Sequence, residues 1–254
     1  MKSNLKTTID FFNDDILYYA GSFFTILALL PILALMIVFV STLSIFSKQI
    51  DQFVLFALDF INPTHSEQLV LTVSGFLSNA SDLGTIGLIY LIFSFILFFR
   101  DYDHIVNKIY AIEQKSFINM FLVYLVFIFL LPIIFAVYTI LVASVNIAFF
   151  DNSFFQFLLT FIVNWIFFIF LFKISINKKI SLISILISTF IVLISLSTFK
   201  ELFVFYTLYN QMYASIYGSF SVLMFFFVWL YISWLIYLYG IKLSMVLNQR
   251  LSNN

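Results

Sequence analysis

The sequence contains no cysteine and almost no histidine. The missing cysteine excludes disulfides, thiolate metal sites, iron–sulfur clusters and cysteine nucleophiles. His65 and His104 are isolated in the sequence, whereas a zinc hydrolase needs several histidines and carboxylates at ligand spacing. The chain also has no GxSxG, Walker or GxGxxG motif. These absences predict a protein that is not an enzyme and that carries no metal or other cofactor.

Charged residues are also scarce, at 9% of the 254 residues. Soluble domains carry about 25%. Hydrophobic residues make up 63% of the chain, and its mean hydropathy is +1.12. A soluble globule with so few charges could not cover its surface with polar groups, so lipid must be the solvent for much of the chain. Because the net charge is zero, no basic excess attracts nucleic acid, and we expect no nucleic-acid partner.

Long apolar segments predict the fold. A helix needs about 20 mostly apolar residues to cross a bilayer. Six segments approach this length, at about 19–46, 83–99, 120–145, 154–172, 180–199 and 220–247. The prediction is an all-α integral membrane protein, a single domain over 1–254, with about six transmembrane helices and short interfacial helices. One interfacial helix is predicted near the N-terminus, where Leu5, Ile9 and Phe12 follow helical spacing.

The distribution of lysine and arginine predicts the orientation. Loops on the cytoplasmic side of bacterial membrane proteins are enriched in these residues. Only Lys48 and Lys200 fall on one side of the six spans. The other ten lie on the opposite side: Lys2, Lys6, Arg100, Lys108, Lys115, Lys173, Lys178, Lys179, Lys242 and Arg250. We therefore expect a multi-pass protein of the bacterial inner membrane with both termini in the cytoplasm.

Two segments, 47–82 and 200–219, fit neither a span nor a simple loop. The first is half apolar and contains Asp59 within FALDFI; if it dips into the membrane, Asp59 needs a partner such as Lys48 or Lys200. The second carries four tyrosines at helical spacing, Tyr206, Tyr209, Tyr213 and Tyr217. They predict either an aromatic belt at the outer headgroup level or an aromatic wall beside a cavity.

Polar residues near or within the spans are candidates for function. Asp101 and Asp103 could form a charged cluster with Lys108, as a solvated turn or as a cytoplasmic gate or headgroup site. Asn164 lies within the fourth span, where hydrogen bonding between helices explains it. Four serines of the fifth span share one face and predict close packing or a mildly polar cavity wall: Ser181, Ser184, Ser188 and Ser195. In the last span Gly240 permits a bend.

Three stretches together resemble the YihY/BrkB family of inner-membrane proteins. They are YYAGSFFTILALLPILALMIVFVS at 18–41, LGTIGLIYLIFSFILFFRDYDHIVNKIYAI at 83–112, and YNQMYASIYGSFSVLMFFFVWLYISWLIYLYGIKL at 209–243. The third is the most specific because it contains IYGS, WLY and a late glycine. The resemblance implies six helices with cytoplasmic termini, in agreement with the charge count.

The family resemblance supplies no settled activity. Its members carry names tied to serum resistance and virulence, and an older label called the family ribonuclease BN. The residues here contradict that label, because the sequence has no metal cluster, no basic groove and no soluble domain for RNA. The resemblance is compatible with transport of a lipid or another amphipathic substrate.

Our hypothesis is therefore a membrane protein that translocates a lipid or another amphipathic molecule, with membrane lipids as its partners. The candidate path residues lie in the family-like stretches: Ser22, Asp101, Asp103, Asn107, Tyr213, Tyr217 and Gly218. The alternative is a scaffold that organises envelope proteins through lateral helix contacts. Polar side chains that converge on one interior favour translocation, whereas a core of Phe and Leu favours the scaffold. Homo-oligomerisation stays open.

Overall fold

A computed structural model describes residues 10–28, 84–113, 153–176, 178–209 and 220–252, together with eight isolated residues. The isolated residues are Glu67, Val70, Leu71, Val137, Tyr138, Ile140, Leu141 and Ser144. The predictions for the segment 47–82, for the span 120–145 and for the remainder of the first span fall mostly outside these residues. Tyr213 and Tyr217 also lie outside the described residues.

Five helices make up the described fold. They are α1 (Asp15–Leu27), α2 (Gly84–Tyr110), α3 (Ser153–Ser175), α4 (Leu182–Tyr209) and α5 (Phe220–Ser252). No strand occurs among the described residues, so the all-α prediction is confirmed for this part of the chain.

Three of these helices are long and apolar enough to cross a membrane. The qualifying stretches are Phe154–Ser175 of α3, Leu182–Thr207 of α4 and Met224–Ser252 of α5. They coincide with the fourth, fifth and sixth predicted spans. The 23 residues of α3 extend over about 34 Å at the standard helical rise, which exceeds the hydrocarbon thickness of a bilayer. The other three predicted spans lie wholly or partly outside the described residues, so the structure supports the six-span prediction in part.

Two helices continue about ten residues beyond the ends that hydropathy predicts. The second span was expected to end at residue 99, but α2 runs through Arg100 and Asp101 to Tyr110. The fifth was expected to end at 199, but α4 runs through Lys200 to Tyr209, so residues 200–209 are helical. Charged side chains mark where a helix leaves apolar surroundings, but they do not interrupt backbone hydrogen bonding, so the helix continues.

Backbone hydrogen bonds determine where α2 ends. The Ala111 N–H donates to the Lys108 carbonyl at 3.2 Å, and the Ile112 N–H donates to the Asn107 carbonyl at 2.9 Å. This pair of bonds is the Schellman motif, which requires a left-handed residue just after the helix. Ala111 takes that conformation with a φ of 51°. Glycine usually occupies this position because its backbone tolerates positive φ without steric cost.

The chain divides into two compact units. Unit 1 comprises Met1–Ala20, Phe99–Ser195 and Leu235–Asn254, and unit 2 comprises Gly21–Phe98 and Leu196–Trp234. The described interior of unit 2 is aromatic. Phe203, Trp229 and Leu230 form its buried cluster, and the Phe199 ring stacks on Trp229 with ring centroids 5.1 Å apart. A second group joins Phe24, Phe98 and Trp234, whose centroids lie within 5.8 Å of one another.

Candidate functional site

The candidate path residues are distributed over both units. Ser22 is exposed on α1 in unit 2. Asp101, Asp103 and Asn107 lie on α2 in unit 1. Tyr213, Tyr217 and Gly218 lie outside the described residues, so their proposed role stays a prediction.

The two aspartates of α2 have partners other than the expected Lys108. Asp101 is half-buried and accepts a hydrogen bond from the neighbouring Arg100 at 3.1 Å. Asp103 accepts one from the Asn107 side-chain amide at 2.6 Å. The expected solvated turn is also wrong, because these residues belong to the continuous helix α2. The i, i+4 spacing of Asp103 and Asn107 places their side chains on one helix face, which explains their contact.

Asn107 is a packed residue rather than a surface one. Only 2% of it is exposed. Its side chain donates to Asp103, and its carbonyl accepts the Ile112 N–H that closes α2. The side chain and the backbone carbonyl of Asn107 therefore both stabilise the last two turns of α2. Replacing Asn107 would remove the side-chain bond to Asp103.

A chain of hydroxyl groups joins three helices inside unit 1. Tyr102 Oη of α2 lies 2.7 Å from Ser175 Oγ of α3 and 2.8 Å from Tyr237 Oη of α5. Ser175 donates its own proton to the Leu171 carbonyl at 2.7 Å, so it accepts from Tyr102. Since Tyr102 has one proton, Tyr237 must be the donor to Tyr102. The two shorter hydrogen bonds therefore run from Tyr237 through Tyr102 to Ser175, and Tyr237 Oη also lies 3.3 Å from Ser175 Oγ, so each hydroxyl contacts the other two.

A second hydroxyl pair lies farther along the same helices. Tyr110 Oη of α2 and Ser244 Oγ of α5 are 2.5 Å apart, and both residues are buried. Ser244 donates to the Ile241 carbonyl, so Tyr110 donates to Ser244. Burial raises the pKa of Tyr110 to about 12, against the lowering effect of this hydrogen bond. Burial also raises the pKa of Tyr102 well above its ordinary value of 10.0. Both phenols therefore stay protonated and neutral at physiological pH.

A charged group holds the residues before α1 against α5. Lys242 Nζ donates to the Phe11 carbonyl at 2.7 Å and to Asp14 Oδ2 at 2.8 Å. The same ammonium lies 5.0 Å from the centroid of the Phe11 ring and 5.8 Å from that of Tyr239. The rings add cation–π attraction to the ion pair. Lys242, Asp14 and Tyr239 were not among the candidate residues.

Polar contacts of α3 explain two further sequence features. Asn164 accepts a hydrogen bond from the Tyr138 hydroxyl at 2.5 Å. This contact agrees with the predicted role of Asn164 in hydrogen bonding between helices. Trp165 donates to Thr189 Oγ1 of α4 at 3.0 Å. On α4 itself, Ser184 and Ser188 are completely buried, which fits close packing of the serine face.

Sequence spacing contains a signal for the residues that the candidate list missed. Tyr102, Val106 and Tyr110 recur every four positions, so they share one face of α2. The candidate residues on α2 were instead polar neighbours of this face, Asp101, Asp103 and Asn107. On α5, Tyr239 and Lys242 are three positions apart and also share a face. Among the described residues, no group of three or more His, Asp and Glu side chains comes together that could hold a metal ion.

Comparison with known proteins identifies one family and several relatives that are named as membrane proteins. The family described as "Virulence factor BrkB" matches residues 10–254. A "UPF0761 membrane protein" of Pseudoalteromonas atlantica is 27% identical over 247 residues, which cover 92% of this chain and 82% of that relative. One from Actinobacillus pleuropneumoniae is 25% identical over 234 residues, covering 88% of this chain and 84% of that relative.

A longer relative occurs in Neisseria meningitidis. This "UPF0761 membrane protein" is 27% identical over 235 residues, which cover 88% of this chain but 57% of that relative. No solved structure matches the chain.

Proposed function

This chain belongs to the virulence factor BrkB family of membrane proteins, and we propose that it translocates a lipid or another amphipathic molecule across the bacterial inner membrane. We propose further that it does so without enzymatic chemistry. The sequence has no cysteine and no nucleophile motif, and its family relatives are named only as membrane proteins.

One observation carries this proposal. Hydroxyl side chains from α2, α3 and α5 converge in unit 1 at Tyr102, Ser175 and Tyr237, while the outward faces of the helices are apolar. Only 6% of the residues in the apolar stretch of α3 are fully buried, so this helix has exposed apolar side chains that lipid tails could contact. A polar interior beside apolar outer surfaces suits an amphipathic substrate, whose headgroup needs hydrogen-bond partners and whose tails do not.

The hydroxyl groups of this cluster suit a lipid headgroup that must bind to the protein and then dissociate from it. Hydroxyl groups both donate and accept hydrogen bonds, so they can exchange partners with a phosphate or glycerol group. Because a tyrosine phenol is neutral at physiological pH, Tyr102 would not repel an anionic headgroup.

The direct test is lipid movement in proteoliposomes. Purified protein is reconstituted with labelled anionic or zwitterionic lipid, and transbilayer movement is compared with empty vesicles. We expect acceleration by the wild type, and a rate roughly three- to tenfold lower for Tyr102→Phe/Tyr237→Phe, the factor that corresponds to about 1 kcal/mol of hydrogen bonding lost to the headgroup. The Asp101→Ala/Asp103→Ala variant tests the cytoplasmic gate. Tyr19→Phe is the matched control, because 77% of Tyr19 is exposed on α1.

The second candidate is a scaffold that contacts other envelope proteins through its helices. The aromatic cluster around Trp229 in unit 2 supports it, because that packing suits a rigid element. Wild-type protein that accelerates no lipid would exclude passive lipid translocation and favour the scaffold. Equal rates for wild type and the double tyrosine variant would remove the hydroxyl chain from the path.

A further inference from the structure

The two carboxylate oxygens of Asp14 have different hydrogen-bond partners. Oδ1 accepts a hydrogen bond from the Ile16 N–H at 3.2 Å, and the Asp14 carbonyl accepts from the N–H groups of Leu17 and Tyr18. Asp14 is therefore the N-cap of α1. Oδ2 binds Lys242, which lies ten residues before the end of α5. The start of α1 and the C-terminal third of α5 thus meet at a single carboxylate.

The residues just before Asp14 are attached to α5 by their backbone. The Phe11 carbonyl accepts from Lys242, and the Phe12 carbonyl accepts from the Tyr239 hydroxyl at 2.6 Å. The Tyr18 hydroxyl also donates to the Phe12 carbonyl at 2.9 Å. Residues 10–14, which we call the N-terminal clasp, therefore depend on Lys242 and Tyr239 for their main polar contacts with α5.

The ion pair at the centre of the clasp is partly buried, and a minor part of each side chain remains accessible to solvent. Lys242 is 16% exposed and Asp14 is 25% exposed. Ion pairs that water reaches are weak, and their strength is comparable to the attraction of one lysine to an anionic membrane surface. Lys242 also lies near the predicted cytoplasmic end of the last span, where a lysine extends its ammonium toward the headgroups. The two partners, Asp14 and the membrane surface, would therefore compete for the same charge.

We propose that the N-terminal clasp is a lipid-responsive latch, in which the phosphate of an anionic lipid headgroup displaces Asp14 from Lys242 and releases residues 10–14 from α5. A phosphate has several acceptor oxygens, so one headgroup can replace both the carboxylate and the Phe11 carbonyl at the ammonium. The nearby Tyr239 ring favours the interface, where tyrosine is enriched. The proposal depends on the membrane location of α5 and not on lipid translocation.

The test is amide hydrogen exchange of the full chain in lipid nanodiscs. The reporters are the N–H groups of Asp14, Ile16, Leu17 and Tyr18, which are hydrogen-bonded in the closed clasp. Wild-type protein is compared in phosphatidylcholine and in phosphatidylcholine mixed with phosphatidylglycerol. We expect the reporters to exchange roughly two- to fivefold faster with the anionic lipid, as follows from losing a partly exposed ion pair.

Variants separate the ion pair from the helix cap. Lys242→Met keeps the length of the side chain but loses the charge, so its reporters should exchange fast in both lipids. Asp14→Asn keeps an oxygen for the cap of α1 and should also exchange fast in both. Lys178→Met is the matched control, because Lys178 is exposed in unit 1 and its loss should leave the lipid response intact. Unchanged exchange within α5 shows that each variant is folded.

Three outcomes would overturn the latch. The first is wild-type exchange that is equal in the two lipids. The second is slow exchange in folded Lys242→Met, which would mean that the aromatic contacts hold the clasp without the charge. The third is an equal response to inorganic phosphate added to phosphatidylcholine nanodiscs, which would assign the site to a soluble anion. The readout does not involve transport, so a failed translocation assay would leave this proposal standing.

Discussion

In unit 1, the inward face of α2 carries Tyr102, Val106 and Tyr110, which follow one another at intervals of four residues. Val106 and Tyr110 are 1% and 4% exposed, and Tyr102 takes part in the hydroxyl chain. The sequence drew attention to Asp101 and Asp103 because charge near a membrane span is conspicuous. A charge count cannot show which face of a helix meets its neighbours, so it missed the tyrosines that carry the contacts.

Ala111 provides a residue-scale prediction. It holds a left-handed conformation that costs an alanine roughly 1–2 kcal/mol and a glycine almost nothing. Because Ala111 is exposed, removing its methyl group loses no packing. We expect Ala111→Gly to raise the free energy of unfolding by about 1 kcal/mol, seen as a higher thermal midpoint in detergent.

The control for this prediction is Ala20→Gly. Ala20 is buried within α1, so glycine there should lower the midpoint. A lower midpoint for Ala111→Gly would show that the left-handed turn is not the end of α2 in solution.

At the scale of elements, hydropathy located apolar segments well and helix ends poorly. The beginnings of α3, α4 and α5 lie within two residues of the predicted spans, whereas α2 and α4 continue about ten residues past the predicted ends. The end of α2 depends on two backbone hydrogen bonds around Ala111, and no apolar pattern encodes them. The N-cap of α1 by Asp14 is likewise a local event at a residue that hydropathy ignores.

Gly240 provides the prediction at this scale. The sequence predicts that Gly240 permits a bend, and α5 is continuous through this position from Phe220 to Ser252. A Cβ atom at Gly240 would collide with Val192 Cγ2 of α4 and lie 3.1 Å from Phe172 Cζ of α3. Glycine is needed because three helices approach closely here. Gly240→Ala should lower the free energy of unfolding by about 1–3 kcal/mol, measured by thermal or denaturant unfolding.

A double variant identifies the cause of that loss. Val192→Ala alone should destabilise, because Val192 is 2% exposed and its removal leaves a cavity. In the double variant, the methyl group of Gly240→Ala fills part of that space. The double variant should therefore lose less free energy of unfolding than the two single variants lose in sum. Additive losses would mean that the two positions do not contact each other.

At the scale of the whole molecule, composition and charge distribution predict a multi-pass membrane protein. Family membership and three membrane-length apolar helices support the membrane assignment. We propose the orientation with both termini in the cytoplasm on the basis of the lysine and arginine distribution, ten residues against two.

Orientation can be tested on the full chain because it has no native cysteine to react. Single cysteines are introduced as Asn253→Cys, Lys178→Cys and Ser66→Cys, and intact spheroplasts are treated with a membrane-impermeant maleimide. We expect labelling at position 66 only, because the other two positions are predicted to be cytoplasmic. All three should label after permeabilisation. Labelling at 253 in intact spheroplasts would reverse the proposed orientation of the C-terminus.

The sequence by itself determined the membrane class, the helical nature of the described chain and the family resemblance. These properties depend on sums over many residues and on local periodicity, which do not require knowledge of neighbouring helices. Only the tertiary structure decided that Tyr102 meets Ser175 and Tyr237, that Lys242 holds Asp14, and that Gly240 makes room for Val192. Each of these contacts joins residues far apart in the chain, and the rotation of each helix about its own axis determines which side chains meet.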